Sequence, residues 1–123
     1  MPAWRIVRLE LASTEGFPNG SPGRSYLLRL PLDDDSRIDE SIRAELPDHA
    51  TVRRFWPDEP DRSGYILRRG SGWAFSFAID GEDDEQATPC HLEDSTFLVG
   101  EHLILHDHAA GAKPFLIVSI AYD

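Results

Sequence analysis

The chain lacks the features that mark disulfide-rich secreted domains and membrane proteins. A single cysteine, Cys90, excludes an internal disulfide framework and a zinc site built from several cysteines. No apolar run reaches the ~20 residues that a membrane helix needs, and charged residues interrupt the apolar residues at the N-terminus, where a signal peptide would lie. We therefore expect a cytoplasmic protein with no membrane partner.

Basic residues are also scarce, which bounds the class of partner. The 123 residues include 22 Asp and Glu against 12 Lys and Arg, a formal net charge of −10. This negative charge repels phosphate backbones at long range, so we do not expect nucleic acid as the partner. Eleven of the 12 basic residues are arginine, and Lys113 is the exception. Because arginine makes bidentate and stacking contacts, its dominance favours specific interactions.

The common catalytic and cofactor-binding motifs are missing too. The sequence has no nucleophile elbow, no Gly-rich phosphate-binding loop and no H-E-x-x-H zinc motif. Cys90 and His91 are adjacent, and neighbours in an extended segment point to opposite sides, so they would not form a nucleophile–base pair. The acidic run at 80–85 lacks the ligand spacing of a calcium-binding loop. We predict no cofactor and favour a non-enzymatic function.

Alternation of apolar and polar residues is the strongest pattern that is present. At 73–79, Trp73, Phe75 and Phe77 share one face while small residues occupy the other, which is typical of a packed β-strand. The pattern predicts strands near residues 7–11, 26–32, 51–56, 64–69, 73–79, 101–107 and 115–122. About seven short strands in one domain, 1–123, indicate a mainly β protein, a small antiparallel β-barrel or a sandwich. We prefer the barrel because closure leaves no unpaired sheet edge.

One short helix is expected among the strands. Ile38, Ile42 and Leu46 recur at helical spacing, and Pro47 should end the run. Ser36 or Asp39 could cap the start of the helix, because a short side-chain oxygen there can accept a hydrogen bond from the first turn. A helix of about two turns is too short to be stable without packing against other structure.

Arginines concentrate in the middle of the chain, and acidic residues follow them. Residues 51–70 contain five arginines and three acidic residues, whereas residues 80–101 contain eight acidic residues and no Lys or Arg. One interpretation is that the arginines pair with the acidic segment across the sheet. The other is a face that binds a protein or a small anionic ligand, with five contact candidates: Arg53, Arg54, Trp56, Arg68 and Arg69. Adjacent Arg53 and Arg54 point to opposite sides of a strand, which weakens the case for all five together.

A histidine-rich segment supports the main alternative. His106 and His108 are two residues apart, and on a strand they would share a face and could chelate a zinc ion. A third ligand would have to come from elsewhere, for example His91. The competing interpretation is that these histidines are solvent-facing polar residues opposite the apolar Leu103 and Leu105. The alternatives to a binding domain are therefore a metal-binding protein or metal-dependent enzyme, and a structural subunit of an oligomer.

Four segments resemble, in the same order along the chain, a family of small bacterial proteins of about this length. They read LDDDSRID at 32–39, VRRFW at 52–56, FLVGE at 97–101 and PFLIV at 114–118. The resemblance covers nearly the whole chain, and its motifs are structural: a turn into a helix, a basic-aromatic strand, a Gly-Glu turn and a terminal strand. It implies a free-standing one-domain bacterial protein. Because the family has no established activity, the resemblance assigns no functional residue.

Overall fold

Eight antiparallel strands close into a barrel in which each strand pairs with the next and the last pairs with the first. The computed structural model describes residues 3–14, 16–77, 90–93, 95–107 and 111–123. The strands are β1 (Ala3–Leu11), β2 (Ser21–Leu32), β3 (Thr51–Phe55), β4 (Arg62–Arg69), β5 (Gly72–Ser76), β6 (Cys90–Glu93), β7 (His102–Asp107) and β8 (Gly111–Tyr122). The expected mainly β barrel is therefore confirmed, with eight strands where about seven were predicted.

Side chains fill the interior of the barrel. Alternate residues of each strand point inwards, and those from β5 include Trp73 and Phe75, both buried. Other strands add Leu9, Leu28 and Ile117, which are completely buried. Eight strands enclose a space that side chains of this size can fill. A ligand would therefore reach this barrel at one of its ends or on its outer surface.

The segment between β2 and β3 contains the predicted short helix. It forms α1 (Glu40–Glu45) and then a 3-10 turn (Pro47–His49). The Ile42 N–H donates a hydrogen bond to the Asp39 carboxylate at 3.1 Å, so Asp39 is the cap. Leu46 is 40% exposed, so the predicted apolar face of the helix is only partly used for packing. Within the described ranges, no helix has the length and apolar character that crossing a bilayer requires.

This segment closes one end of the barrel, here called the lower end. Ile38 precedes the helix, pairs with Leu32 in an isolated β-bridge and is buried in the core. Phe97, in the connection between β6 and β7, is also buried, and its N–H donates to the Ser36 carbonyl at 2.7 Å. Two connections that are distant in sequence thus cover the lower end with apolar side chains.

The opposite end of the barrel, here called the upper end, lies where β3 ends and β4 begins. The loop 56–61 joins these two strands. Strand β5 also ends there and β6 begins there, as their antiparallel register requires. Residues 78–89, which join β5 to β6, lie outside the described residues.

Two glycines permit the close packing and tight turn of strands β4 and β5. Gly64 lies so near β5 that an added Cβ would overlap the Ser76 carbonyl oxygen. Gly70 lies in the turn between the two strands with a φ of 59°, a left-handed conformation that glycine adopts without strain. The absence of a side chain at Gly64 therefore permits a close approach of the backbones of the two strands.

Candidate functional site

The five side chains predicted to form one binding face lie at three different places on the barrel. Arg54 and Trp56 lie at the upper end, where β3 ends and the following loop begins. Arg68 and Arg69 end β4 at the lower end. Arg53 points outwards from β3, and 53% of its side chain is exposed. The structure therefore brings only Arg54 and Trp56 together.

The arginines of the lower end cover a buried tryptophan. The guanidinium carbons of Arg68 and Arg43 lie 4.6 and 5.7 Å from the centre of the Trp73 ring. Arg43 also donates two hydrogen bonds to the Glu40 carboxylate, at 3.0 and 3.1 Å. The hydrogen bond from Arg43 lowers the pKa of Glu40 against the opposing effect of partial burial, and the charges of Arg43 and Arg68 lower it further. These contacts give Arg68 a structural role at the junction of α1 and the barrel.

Arg53 and Arg69 are ordinary surface residues. Arg53 forms an ion pair with Asp61 at 3.8 Å, and both side chains are about half exposed. Its guanidinium also lies 5.2 Å from the Phe55 ring centre. Arg69 is exposed beside the turn between β4 and β5. Exposed pairs of this kind contribute about 0–1 kcal/mol, so neither arginine indicates a binding site.

Arg54 differs from these residues because it faces the axis of the barrel. Its register partner on β2 is Tyr26, which is buried, so the two side chains lie on the inner face of the sheet. Only 16% of the Arg54 side chain is exposed. The guanidinium lies 4.2 Å from the Trp56 ring centre, and Nη1 lies 3.6 Å from Oε1 of Glu59. A largely buried guanidinium is thus held between an indole and one carboxylate.

A second arginine, Arg62, lies directly opposite Arg54 in the pairing of β3 with β4. Both side chains therefore project from the same inner face, at the upper end. The Arg62 guanidinium lies 4.7 Å from the Phe77 ring centre. Among the described residues, Arg62 has no acidic partner. The sequence analysis counts Arg62 among the five arginines of residues 51–70 but does not choose it as a contact candidate, since only the register shows that it faces Arg54.

Aromatic rings pack beside this arginine pair. Tyr26 is the centre of the group, with ring centroids of Trp56, Phe75 and Phe115 at 5.8, 5.4 and 5.3 Å. Tilted and edge-to-face arrangements such as these are favourable for aromatic pairs. The group connects the upper end to the core, which gives the arginines a rigid support. We call Arg54, Arg62, Trp56 and Tyr26 the upper-end cluster.

The described acidic partners of these arginines come from the loop between β3 and β4. Glu59 pairs with Arg54, and Asp61 pairs with Arg53. The acidic run at 80–85, considered both as a partner for the arginines and as a calcium loop, lies outside the described residues. In the described residues the upper-end cluster therefore carries two guanidinium groups and one acidic partner.

The histidines lie elsewhere, on the outer surface of the barrel. His106 on β7 is directly opposite His91 on β6, and the two rings stack with centroids 5.0 Å apart at 15°. His108, the predicted second ligand of a zinc site, lies outside the described residues. Within the described ranges, no three or more His, Cys, Asp or Glu side chains lie close enough to hold a metal ion.

A third feature is a groove of about 480 Å³ near the connection between β6 and β7. Its lining combines one basic, one acidic and one imidazole side chain, those of Arg37, Glu101 and His102. Opposite charges in one groove select no particular sign of ligand, so this lining is less informative than the paired arginines of the upper-end cluster.

Comparisons with protein-family models, with curated proteins and with solved structures find no match. The chemistry of the site must therefore be judged from its own side chains. Two guanidinium groups beside aromatic rings can bind a carboxylate or phosphate through paired hydrogen bonds, and the rings can contact an attached apolar group. The upper-end cluster is therefore suited to binding an anion.

Proposed function

We propose that this protein is a non-enzymatic binding domain that recognises an anionic group, a carboxylate or a phosphate, at the upper end of its barrel. The observation that carries the proposal is that Arg54 and Arg62 lie directly opposite each other on the inner face of β3 and β4. Like charges at directly opposite positions of an antiparallel pair are destabilising. An anion that binds between them would remove this repulsion and use both guanidinium groups.

The size of the effect supports this argument. Directly opposite residues of an antiparallel pair have Cβ atoms about 5 Å apart. Two unit charges at that separation would repel by about 0.8 kcal/mol in water and by about 3 kcal/mol at an effective dielectric constant of 20. Arg54 is only 16% exposed, but Arg62 is exposed, so the repulsion lies near the lower of these two values. Glu59 offsets one of the two charges, and its own side chain is 51% exposed. Among the described residues, one guanidinium charge is left for a ligand to neutralise.

The filled interior limits how a ligand could bind. Because Phe75 and Phe115 are buried next to Tyr26, a ligand would contact the rim of the barrel rather than enter it. Trp56 is half-buried at this rim and presents part of its indole. The ligand would therefore be an anionic head group with a small apolar or planar neighbour, on a small molecule or on a partner protein.

The proposal is tested by titrating the whole chain with inorganic phosphate and with citrate. The titration is monitored by NMR of the Trp56 indole N–H and the arginine Nε–H groups. Binding should shift the signals of Arg54, Arg62 and Trp56. Replacing Arg54 or Arg62 by Met should weaken binding roughly tenfold or more, because each removes a charged hydrogen bond. The matched control is Arg69→Met, an exposed arginine at the other end of β4.

Two outcomes would contradict this proposal. If Arg54→Met and Arg62→Met bind as tightly as Arg69→Met, the upper-end cluster is not the site. If the five acidic residues of 80–85 occupy the cluster themselves, replacing them with Asn and Gln should instead shift the Arg54 and Arg62 signals without any added anion. That result would favour pairing of the arginines with the acidic segment.

One observation favours a structural subunit as the second candidate. The outer face of β4 to β8 carries exposed apolar side chains, including Tyr65, Leu67 and Ile104. Among its described residues, charged side chains occur only at the lower end, at Arg69 and Glu93. Sedimentation at several concentrations tests this candidate. An oligomer that dissociates in an Ile104→Ser variant would favour assembly, whereas a monomer at all concentrations would exclude it.

A further inference from the structure

The histidine pair on the outer surface is independent of the upper-end cluster. The register pairs His91 with His106 and, one position further, Leu92 with Leu105. Both leucines are buried in the core. Because neighbouring residues of a strand alternate between faces, the two histidines must project from the outside of the barrel. Each is half-buried, which restricts the orientations of its ring.

The geometry of the two rings suits a chelate. Their centroids are 5.0 Å apart, and the ring planes are inclined by only 15°. Two imidazole nitrogens bound to one tetrahedral ion at about 2.0–2.1 Å lie ~3.3 Å from each other. Small rotations of stacked rings can bring two of their edge nitrogens to that separation. Each imidazole has two ring nitrogens, so one can bind an ion while the other keeps its present contacts.

The register neighbours of the pair on the outer face are uncharged and do not repel a cation. They are Ala74, which is buried, next to His91, and Ala112, which is exposed, next to His106. An ion would therefore approach the pair from the side of Ala112. The chain as a whole has a net charge of −10, which favours the approach of a cation.

We infer that His91 and His106 form a chelating site for a divalent transition-metal ion of the zinc and nickel class, with water completing its coordination. The site differs from the predicted pair within one strand, because its two ligands come from neighbouring strands. Imidazole nitrogen is a common ligand for these ions, and the barrel holds the two rings together before the ion binds. A rigid pair of ligands binds an ion more tightly than either ligand alone.

The test is a calorimetric titration of the untagged whole chain with Zn²⁺ and with Ni²⁺, together with NMR of the imidazole C–H signals. We expect one ion per chain, with the signals of His91 and His106 shifting together. Replacing either residue by Ala should weaken binding about 100-fold, because the chelate is lost. The matched control is His102→Ala. His102 is an exposed, outward-facing histidine on β7, the strand of His106, so this variant should bind the ion as tightly as the unchanged chain does.

Further variants separate the inference from loss of folding and from the pair predicted within one strand. His91→Gln keeps a polar side chain of similar size, and its NMR dispersion shows whether the barrel is intact. A folded His91→Gln variant that binds the ion as tightly as the unchanged chain would overturn the inference. So would loss of binding in His108→Ala together with unchanged binding in His91→Ala, since that result would assign the ion to the pair within one strand.

Discussion

Replacing Arg54 and Arg62, separately and together, should reveal repulsion between their side chains. Methionine keeps the apolar part of each side chain in contact with the neighbouring ring but removes the charge. Each single substitution relieves the repulsion, and the double substitution relieves it only once. The double variant should therefore lose more free energy of unfolding than the two single variants together, by about 0.2–1 kcal/mol.

The structure favours a coupling energy near or below the value of about 0.8 kcal/mol for two such charges in water. Arg62 is exposed, so water screens its charge more than that of Arg54. Glu59, at 3.6 Å from Arg54, offsets part of the repulsion. The repulsion energy of about 3 kcal/mol calculated for a dielectric constant of 20 therefore does not apply. Cation–π contacts with the rings are lost in the single and double variants alike, so they cancel in the cycle.

Urea unfolding, monitored by tryptophan fluorescence, measures the free energy of unfolding of the unchanged chain, the two single variants and the double variant. Repeating the measurement at different salt concentrations separates the contribution of charge from that of packing. At an ionic strength of 0.01 M the screening length is about 30 Å, whereas at 1 M it is about 3 Å. The coupling should therefore be largest at low salt and shrink at high salt. A second cycle, Arg54→Met with Glu59→Gln, is the control. Its partners attract, so its double variant should lose less than the sum of the single losses.

The sign of the coupling energy between Arg54 and Arg62 shows whether the two side chains repel each other. A coupling between Arg54 and Arg62 with the same sign as the Arg54–Glu59 control would refute the reasoning, because it would mean that an acidic group lies between the two guanidinium groups. A coupling that is zero at 0.01 M salt and stays zero at 1 M would also refute it. In that case the two charges would not interact, and the upper-end cluster would have no need of an anion.

Two further predictions concern the fold. Gly64→Ala should lower the free energy of unfolding by about 3 kcal/mol, because its Cβ would overlap the Ser76 carbonyl oxygen. Gly70→Ala should lower it by only about 1 kcal/mol, because there is open space around Gly70 and the cost comes only from its left-handed φ of 59°. Equal losses in urea unfolding would contradict the crowding at Gly64. The pKa of Glu40 is lowered in the folded state, so the ionised carboxylate stabilises the fold above the ordinary pKa of a glutamate, and this stabilisation is lost as the carboxylate is protonated. The free energy of unfolding of the unchanged chain should therefore exceed that of Glu40→Gln at neutral pH, and the difference should shrink below about pH 4.3. Glu40 is 46% exposed, so the advantage should be below 1 kcal/mol, and an advantage that stays constant down to pH 3 would contradict the prediction.

The barrel was predictable because most strands alternate over five or more residues. The strand that the pattern missed, β6 (Cys90–Glu93), has only four residues. Leu92 is buried, and its sequence neighbours in the strand are His91 and Glu93, so the sequence shows too few large apolar residues to establish a period of two. The helix was predicted at the right place, and Asp39, one of the two candidate caps, is the cap in the structure. Its apolar spacing misled in detail, because Ile38 belongs to a β-bridge before the helix and not to the helix itself.

The candidate site was predictable only in part. The sequence shows that Arg53 and Arg54 must point to opposite sides of a strand, but it does not show which of them faces inwards. That choice depends on the pairing of Arg54 with Tyr26. The partnership with Arg62 depends likewise on the register of β3 with β4. Non-local pairings of this kind are set by the whole sheet, so no local pattern contains them.

The distribution of arginines follows from how the barrel is built. A filled eight-stranded barrel leaves its ends and outer surface for other contacts. At the lower end, Arg43 and Arg68 cover Trp73, and Glu40 neutralises charge there, so these arginines complete the fold. At the upper end, Arg54 and Arg62 lie opposite each other, and among the described residues only one carboxylate, that of Glu59 beside Arg54, is present for the two charges. Because like charges at directly opposite positions destabilise an antiparallel pair, we propose the binding site at the upper end and not at the lower end.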